Sequence, residues 1–425
     1  MSVMYICGGR PLEGEVAVQG AKNSVLPILA ACLLADGPVV LEHCPRLSDV
    51  TAALDILTHL GCQVRQEGHT VTVDPQGASG CALSERQTRA MRSSIMFLGP
   101  LLARMGRASL AYPGGCELGP RPIDLHLSAI RALGCEALEE GGRICCRGHP
   151  AGGEVRLALP SVGATENAML CAVGAAGESV IQNAAREPEI VDLQNFLNTL
   201  GARVRGAGSG VITVEGGRPL SGGRYTIMGD RMAAATLLSA AAAAGGHVVL
   251  RGVDWRHLST VLEVFHRAGC RVRSREDRVE LKRDPDCPLR GVDLIRTAPY
   301  PGFPTDAQAP VMAALAAARG STCFLETMFD SRYRHVVQLR RMGADITVAG
   351  RLARVRGVEQ LHAAAVTAQD LRGGAALAVA ALGARGESIL SGLHHVDRGY
   401  EALEEVLRRL GGCVRREEAG RTQPA

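Results

Sequence analysis

Apolar residues along this chain alternate between two rhythms. Glu15 to Gln19 has the period of a strand, and Asn23 to Ala35 is apolar and helical. A second strand is predicted over Pro38 to His43, after the turn at Asp36-Gly37. A second helix is predicted over Asp49 to Leu60, with Ser48 or Asp49 as its cap. Two short strands, Cys62 to Arg65 and His69 to Val73, close the unit. The phrase ending that second helix then recurs: Leu60-Gly61-Cys62, Leu133-Gly134-Cys135, Leu200-Gly201-Ala202, Ala268-Gly269-Cys270, Met342-Gly343-Ala344 and Leu410-Gly411-Gly412. The spacing is roughly 70 residues, longer than common solenoid periods. A glycine after the last apolar turn is a helix stop. The pattern predicts an α/β chain of six β-α-β-α-β-β repeats, three to a domain.

Aligning the repeats at their first helices brings like residues together. Those starts read Lys22-Asn23, Arg92-Ser93-Ser94, Ser161-Val162-Gly163, Asp230-Arg231, Thr305-Asp306 and Asp370-Leu371-Arg372. The second helices begin near Arg46-Ser48-Asp49, Arg121-Pro122-Asp124, Arg186 to Glu189, Asp330-Ser331-Arg332 and Asp397-Arg398. Ordinary capping explains the serines, threonines and aspartates. It does not explain Lys22, Arg92, Arg231, Arg372 and Arg398, because cations are disfavoured at that end of a helix. Helix N-termini suit phosphate and carboxylate groups, and repeat symmetry aims several of them at one cleft.

Composition narrows the class. A chain of 425 residues exceeds one ordinary core, so two or more domains are expected. Net charge is only +4 and aromatics are 3%, which argues against a nucleic-acid surface or a membrane-binding face. The most apolar stretch, Met232 to Ala244, is mostly alanine and reads as a buried helix, and no run is long enough to span a bilayer. Met1-Ser2-Val3-Met4 lacks the features of a signal peptide, so a cytoplasmic protein is expected. The 14 cysteines form no C-x-x-C pair and no zinc-spaced cluster with histidine, and most are expected to be reduced and buried.

Two irregular segments stand out. The run Tyr112-Pro113-Gly114-Gly115-Cys116-Glu117-Leu118-Gly119-Pro120-Arg121-Pro122 has the glycines and prolines of an active-site lid. Beside Arg121, Cys116 is either a low-pKa acid or nucleophile, or an incidental thiol on a turn. Arg296-Thr297-Ala298-Pro299-Tyr300-Pro301-Gly302-Phe303-Pro304-Thr305-Asp306 is held extended by its prolines and delivers Asp306 to a helix start. Asp306 is a simple cap, or a general base where its surroundings raise its pKa.

A resemblance then becomes specific. Gly20-Ala21-Lys22-Asn23, Pro113 to Cys116 with Arg121 to His126, Ser161 to Thr165, Asn183 to Asp192, Phe303 to Asp306, Asp370 to Arg372 and His395 to Tyr400 resemble, in order and nearly end to end, the UDP-N-acetylglucosamine enolpyruvyl transferases of the EPSP synthase superfamily. The resemblance implies a two-domain inside-out α/β barrel. Residues 1–21 with 230–425 form one domain, carrying Asp306, Arg372 and Arg398. Residues 22–229 form the other, carrying Lys22 and the Cys116 loop. It implies transfer of the enolpyruvyl group of phosphoenolpyruvate to the 3′-hydroxyl of UDP-N-acetylglucosamine, the first committed step toward peptidoglycan.

By the same resemblance Cys116 is the proton donor, forms a covalent adduct with phosphoenolpyruvate and is alkylated by the epoxide fosfomycin. Asp306 accepts the hydroxyl proton. Lys22, Asn23, Cys116, Arg121 and Arg398 contact phosphoenolpyruvate, and Lys22 and Arg398 are also catalytic. The nucleotide sugar meets Asn23, Arg92, Arg121, Pro122, Ile123, Asp124, Leu125, Ser161, Val162, Gly163, Asp306 and Met328. Asp49, Arg231, Arg332 and Arg372 line the cleft. No metal or organic cofactor, nucleic acid or membrane partner is implied.

Ala233 departs from the family, which usually has glutamate after Asp-Arg-aliphatic. Pro160 stands where some members have lysine, and Asp330-Ser331-Arg332-Tyr333 where Glu-Asn-Arg-Phe is common. Rival readings are the sibling acting on shikimate 3-phosphate, which lacks the Cys116 lid, and RNA 3′-phosphate cyclase, which needs an activating histidine. A third is a paralogue that binds the nucleotide sugar as a regulator without turnover.

Overall fold

The computed structural model describes residues 2–112 and 123–418. Among these, residues 2–19 and 229–418 form one compact unit, and residues 20–112 and 123–228 form another. Cys116, Arg121 and Pro122 lie outside the described residues.

The repeats are real and share one plan. The described chain folds into six four-stranded sheets. Each sheet joins one parallel pair of strands to two antiparallel pairs. The parallel pair needs a crossover, which the first helix of the repeat supplies. In the six recurring phrases Gly61, Gly134, Gly201, Gly269, Gly343 and Gly411 all have φ between 83° and 107°. A side chain is strained in that left-handed region, so the phrase is kept by backbone geometry.

The first helices are interior. In the 229–418 unit the helices Arg231–Ala244, Thr305–Leu315 and Leu371–Gly383 pack on one another. The first is buried everywhere except Ala243. A helix that is apolar all round belongs in a core, and its alanines let neighbours approach closely. The helices Lys22–Ala31, Leu98–Met105 and Val162–Val173 form the equivalent set in the other unit. The sheets surround them, with alternate residues buried and exposed along strands such as Val211–Glu215. Helices inside and sheets outside make the inside-out α/β arrangement.

Three element readings are corrected. The strand expected over Glu15 to Gln19 runs Leu12–Ala17 and pairs in parallel with Gly246–Arg251, not with the strand of its own repeat. Its place beside Val39–Glu42 is taken by Gly223–Thr226. The two strands trade places where the chain passes between units. Both passing points are glycines without room for a side chain: a Cβ on Gly20 would meet the His43 carbonyl oxygen at 1.8 Å, and one on Gly229 the Gly252 carbonyl oxygen at 1.9 Å.

Second, the sixth repeat is completed from the chain's beginning. Ser2–Cys7 lies between Glu387–Ser391 and Cys413–Glu418, antiparallel to both. Third, the helix Ser48–His59 has Leu47 at its cap position and no side-chain cap. Asp49 instead forms an ion pair with Lys22.

Candidate active site

In the 229–418 unit the N-terminal ends of the three interior helices carry the polar residues. Pro304 occupies the cap position of Thr305–Leu315, so Asp306 stands in the first turn and is not a cap. Its carboxylate is gripped on both oxygens. Arg332 Nη2 donates to Oδ1 at 2.8 Å, and Arg372 Nε donates to Oδ2 at 3.1 Å. The Arg332 and Arg372 side chains are 2% and 3% exposed, whereas Asp306 is 29% exposed. Two buried cations therefore fix a carboxylate whose remaining surface is reachable.

Each guanidinium is itself anchored. Arg332 Nε and Nη2 donate to the Thr305 carbonyl at 3.2 and 2.9 Å. Arg372 Nη1 donates to the Tyr400 hydroxyl at 3.0 Å, which meets Thr236 Oγ1 at 2.8 Å. Burial works against the charge of Arg372. Tyr400, Asp306 and Asp230 outweigh it, holding its pKa above the ordinary value. Asp370 Oδ1 accepts from the backbone N–H groups of Arg372 and Gly373 at 3.1 and 2.8 Å. That cap orients the turn carrying Arg372.

Asp230 caps the third helix in the same way, accepting from Met232 and Ala233 at 2.8 and 3.0 Å. Ala233, the departure from the family pattern, is buried and contributes its N–H to that cap. The guanidinium of Arg231 lies 5.6 Å from the centre of the Tyr300 ring. Met328 is 38% exposed, and its N–H donates to Glu326 Oε1 at 2.7 Å. Arg398 is half-buried beside Asp397, which Arg416 holds at 2.7 and 2.8 Å.

In the other unit Lys22 Nζ sits 2.8 Å from Asp49 Oδ2, with both side chains buried. A cation at a helix start is explained by that partner. Asn23, next to it, is exposed. Ser24, one residue on, donates to Asp192, which also accepts from the Tyr225 hydroxyl at 2.6 Å. Arg92 opens the short helix Arg92–Phe97 and is half-buried. Ile123, Asp124 and Leu125 lead into Asp124–Ala132, with Ile123 and Leu125 half-buried and Asp124 exposed. Ser161, Val162 and Gly163 open their helix half-buried, and Ser161 Oγ accepts from Ala164 N–H at 3.4 Å. Thus the structure joins Asp306 to Arg332 and Arg372, and Lys22 to Asp49.

Several residues of these surroundings were not singled out from sequence. Glu326 is fully buried and accepts from Thr297 Oγ1, Thr305 Oγ1 and the N–H groups of Met328 and Phe329. It ties the residue before Asp306 to the Met328 turn. Nothing in the pattern marks it, since it follows a strand like any polar loop residue. Glu166 is buried with Oε1 unpartnered; burial, then the charges of Glu189 and Glu187, push its carboxyl well above the usual range. His126, which closes the motif Arg121 to His126 but was given no role there, packs beside Gly163, and its Nδ1 meets the Asn167 amide at 2.9 Å. That amide also donates to the Ile95 carbonyl at 2.8 Å, so this ring nitrogen acts as acceptor.

Two buried histidines predict an acid sensitivity. Burial, aided by the charge of Arg92, pushes His126 down to about 4, with Asp124 opposing. Burial also pushes His335 down to about 4; Asp370 opposes the shift and Arg332 adds to it. Each is neutral in the fold and takes up a proton more readily when unfolded. Their contribution is complete above pH 6.5 and is lost as pH falls from 6.5 toward 4, by roughly 2–4 kcal/mol for each. Urea unfolding across that window is expected to show the loss, with a shallower slope in His126→Asn. An unchanged slope in that variant would remove His126 from the account.

A family model for EPSP synthase (3-phosphoshikimate 1-carboxyvinyltransferase) matches residues 6–407. The chain belongs to this EPSP synthase family. Among its relatives, UDP-N-acetylglucosamine 1-carboxyvinyltransferase 2 of Caldanaerobacter subterraneus subsp. tengcongensis is 46% identical over 417 residues, covering 97% of this chain and 99% of that protein. UDP-N-acetylglucosamine 1-carboxyvinyltransferase of Coxiella burnetii is 45% identical over 419 residues, covering 98% and 96%. The resemblance read from the motifs is borne out by these relatives, and the chain is an enzyme.

Among solved structures, the enolpyruvyl transferase NikO from Streptomyces tendae matches with a TM-score of 0.87 at 24% identity, covering 98% of both chains. EPSP synthase from Acinetobacter baumannii matches with a TM-score of 0.75 at 18% identity, covering 98% of this chain and all of that one. These two establish the fold class. No helix among the described residues is long and apolar enough to cross a membrane.

Proposed function

We propose that this enzyme transfers the enolpyruvyl group of phosphoenolpyruvate to the 3′-hydroxyl of UDP-N-acetylglucosamine and releases phosphate. The observation that carries the reading is the Asp306 carboxylate, held by two buried guanidiniums while its outer surface stays reachable. A proton acceptor must be placed before the hydroxyl arrives, and anchoring on both oxygens supplies that placement. The names of the nearly full-length relatives supply the substrates.

In this reading the sugar oxygen forms a bond to the second carbon of phosphoenolpyruvate. Asp306 takes the hydroxyl proton, and Cys116 gives a proton to the methylene, which becomes a methyl group. The tetrahedral intermediate then loses phosphate from the same carbon and a proton from the methyl, restoring the double bond. Lys22, Arg121 and Arg398 meet the phosphate and carboxylate of phosphoenolpyruvate, as fixed cations stabilise charge that builds on transfer. Asn23, Arg92, Arg121 to Leu125, Ser161 to Gly163 and Met328 contact the nucleotide sugar, with Asp49, Arg231, Arg332 and Arg372 around them. Asp49 positions Lys22, and Arg332 and Arg372 position Asp306. A cytoplasmic location accords with both substrates.

Phosphate release should require phosphoenolpyruvate and UDP-N-acetylglucosamine together, and shikimate 3-phosphate should not replace the sugar. Release with shikimate 3-phosphate would transfer the assignment to the sibling activity. Nucleotide-sugar binding without any turnover would make the chain a regulator.

A further inference from the structure

The first and last strands of the described residues bring two thiols together. Cys7 ends Ser2–Cys7 and Cys413 opens Cys413–Glu418, and the antiparallel register sets them directly opposite each other. Directly opposite residues share one face of a sheet, with Cα atoms about 4.5–5.5 Å apart. That separation lies inside the window a disulfide needs, about 4.4–6.8 Å. Met4, Ile6 and Val414 fill the buried face of these strands. Cys7 and Cys413 therefore sit on the outer face, and both are partly exposed. The same face carries Glu387 on the neighbouring strand, and Arg415 stacked 4.1 Å from the centre of the Tyr5 ring. Among the described residues no group of three histidine, cysteine or acidic side chains is arranged to hold a metal, so Glu387 with the two thiols is not such a site.

We propose that Cys7 and Cys413 are an oxidation site, closing to a cross-strand disulfide in exchange with a low-molecular-weight disulfide such as oxidised glutathione. The surroundings order the steps. The Cys7 thiol donates to Glu387 Oε1 at 3.3 Å. Cys413 first, then burial and Glu387, push Cys7 up to about 11, and with its thiol donating to Glu387 it keeps its proton in the first step. Cys413 attacks the external disulfide as its thiolate, forms a mixed disulfide and expels one glutathione thiolate. Cys7 then attacks the Cys413 sulfur and expels the second glutathione as its thiolate, the Cys7 proton passing through solvent to that leaving group. Two protein thiols are oxidised and one external disulfide is reduced to two thiols. Cys135 and Cys171, another close pair among the described residues, are buried and out of reach of such a reagent.

The bond would link positions near the two ends of the chain. Such a link restricts the unfolded ensemble strongly. It also fixes the strand bearing Arg416, which holds Asp397 and, at 3.0 Å, Ser2.

The test uses the full-length protein, reduced and then equilibrated with oxidised and reduced glutathione at graded ratios. Non-reducing peptide mapping should find Cys7 joined to Cys413. The unfolding temperature should rise by about 5–10 °C, given the usual effect of such a link. Dithiothreitol should reverse the rise, and Cys7→Ser and Cys413→Ser should each lack it. The proposal is overturned if both cysteines still react with iodoacetamide at the most oxidising ratio. It is also overturned if the rise survives in both serine variants, which would assign it to another pair.

Discussion

Asp306→Ala is expected to lower phosphate release by roughly 10²–10⁴-fold, the range a positioned proton acceptor contributes, while nucleotide-sugar binding stays measurable. The structure adds a second consequence. Removing the carboxylate leaves Arg332 and Arg372 buried beside each other without the charge between them. Breaking a buried pair from one side is costly, on the order of 3–5 kcal/mol, before allowing for the partial exposure of Asp306. Asp306→Asn separates the two effects. The amide keeps the shape and an acceptor oxygen for one guanidinium but not the charge, so stability should return only in part. It cannot accept the proton, so turnover should stay low. Rates measured beside thermal unfolding on both variants decide the matter. An Asp306→Asn enzyme with nearly normal turnover would remove Asp306 as proton acceptor and leave it a structural anion.

The second large effect is expected at Cys116. Serine keeps the size of the side chain but is a far weaker acid, so proton delivery to the methylene should fail and turnover drop by about 10²-fold or more. Fosfomycin should inactivate the wild type and carry its label on Cys116, as peptide mass spectrometry would show. The protein supplies demanding competitors. Cys287 is exposed, and Cys7, Cys81, Cys145, Cys323 and Cys413 are partly so. Among the described cysteines, accessibility alone would send the label to Cys287. Label on Cys116 with Cys287 untouched would support the assignment, and the reverse would end it.

Much of this architecture was legible because it is written locally. The glycine of each repeated phrase must adopt a left-handed backbone, and the apolar first helices announce their burial all round. What pattern could not supply was partnership across the chain. Leu12–Ala17 looks like the opening strand of the first repeat, yet it pairs beside Gly246–Arg251, because a strand's neighbour is chosen by tertiary packing. Ser2–Cys7 fills the last sheet for the same reason.

The site followed the same division. Basic residues at helix starts were conspicuous because they violate a capping rule, and the structure resolves the violation at Lys22 through Asp49 and at Arg372 through Asp306. Glu326, Tyr400 and His335 obey every local rule, so only the fold exposes their part. Asp306 shows the limit from the other side. Its residue type allowed a cap or a base, and the cap position turned out to belong to Pro304.

Ser2 and Glu418 are register partners in one sheet, so the two ends of the described chain lie side by side. Joined there by a short linker and opened between Gln19 and Gly20 instead, the same polypeptide would run once through residues 20–228 and once through the remainder. Both units would then be continuous in sequence. The interleaving of the two halves is thus a matter of where the ring is cut, and a circular permutant cut at Gly20 needs no new strand pairing to reach the same fold.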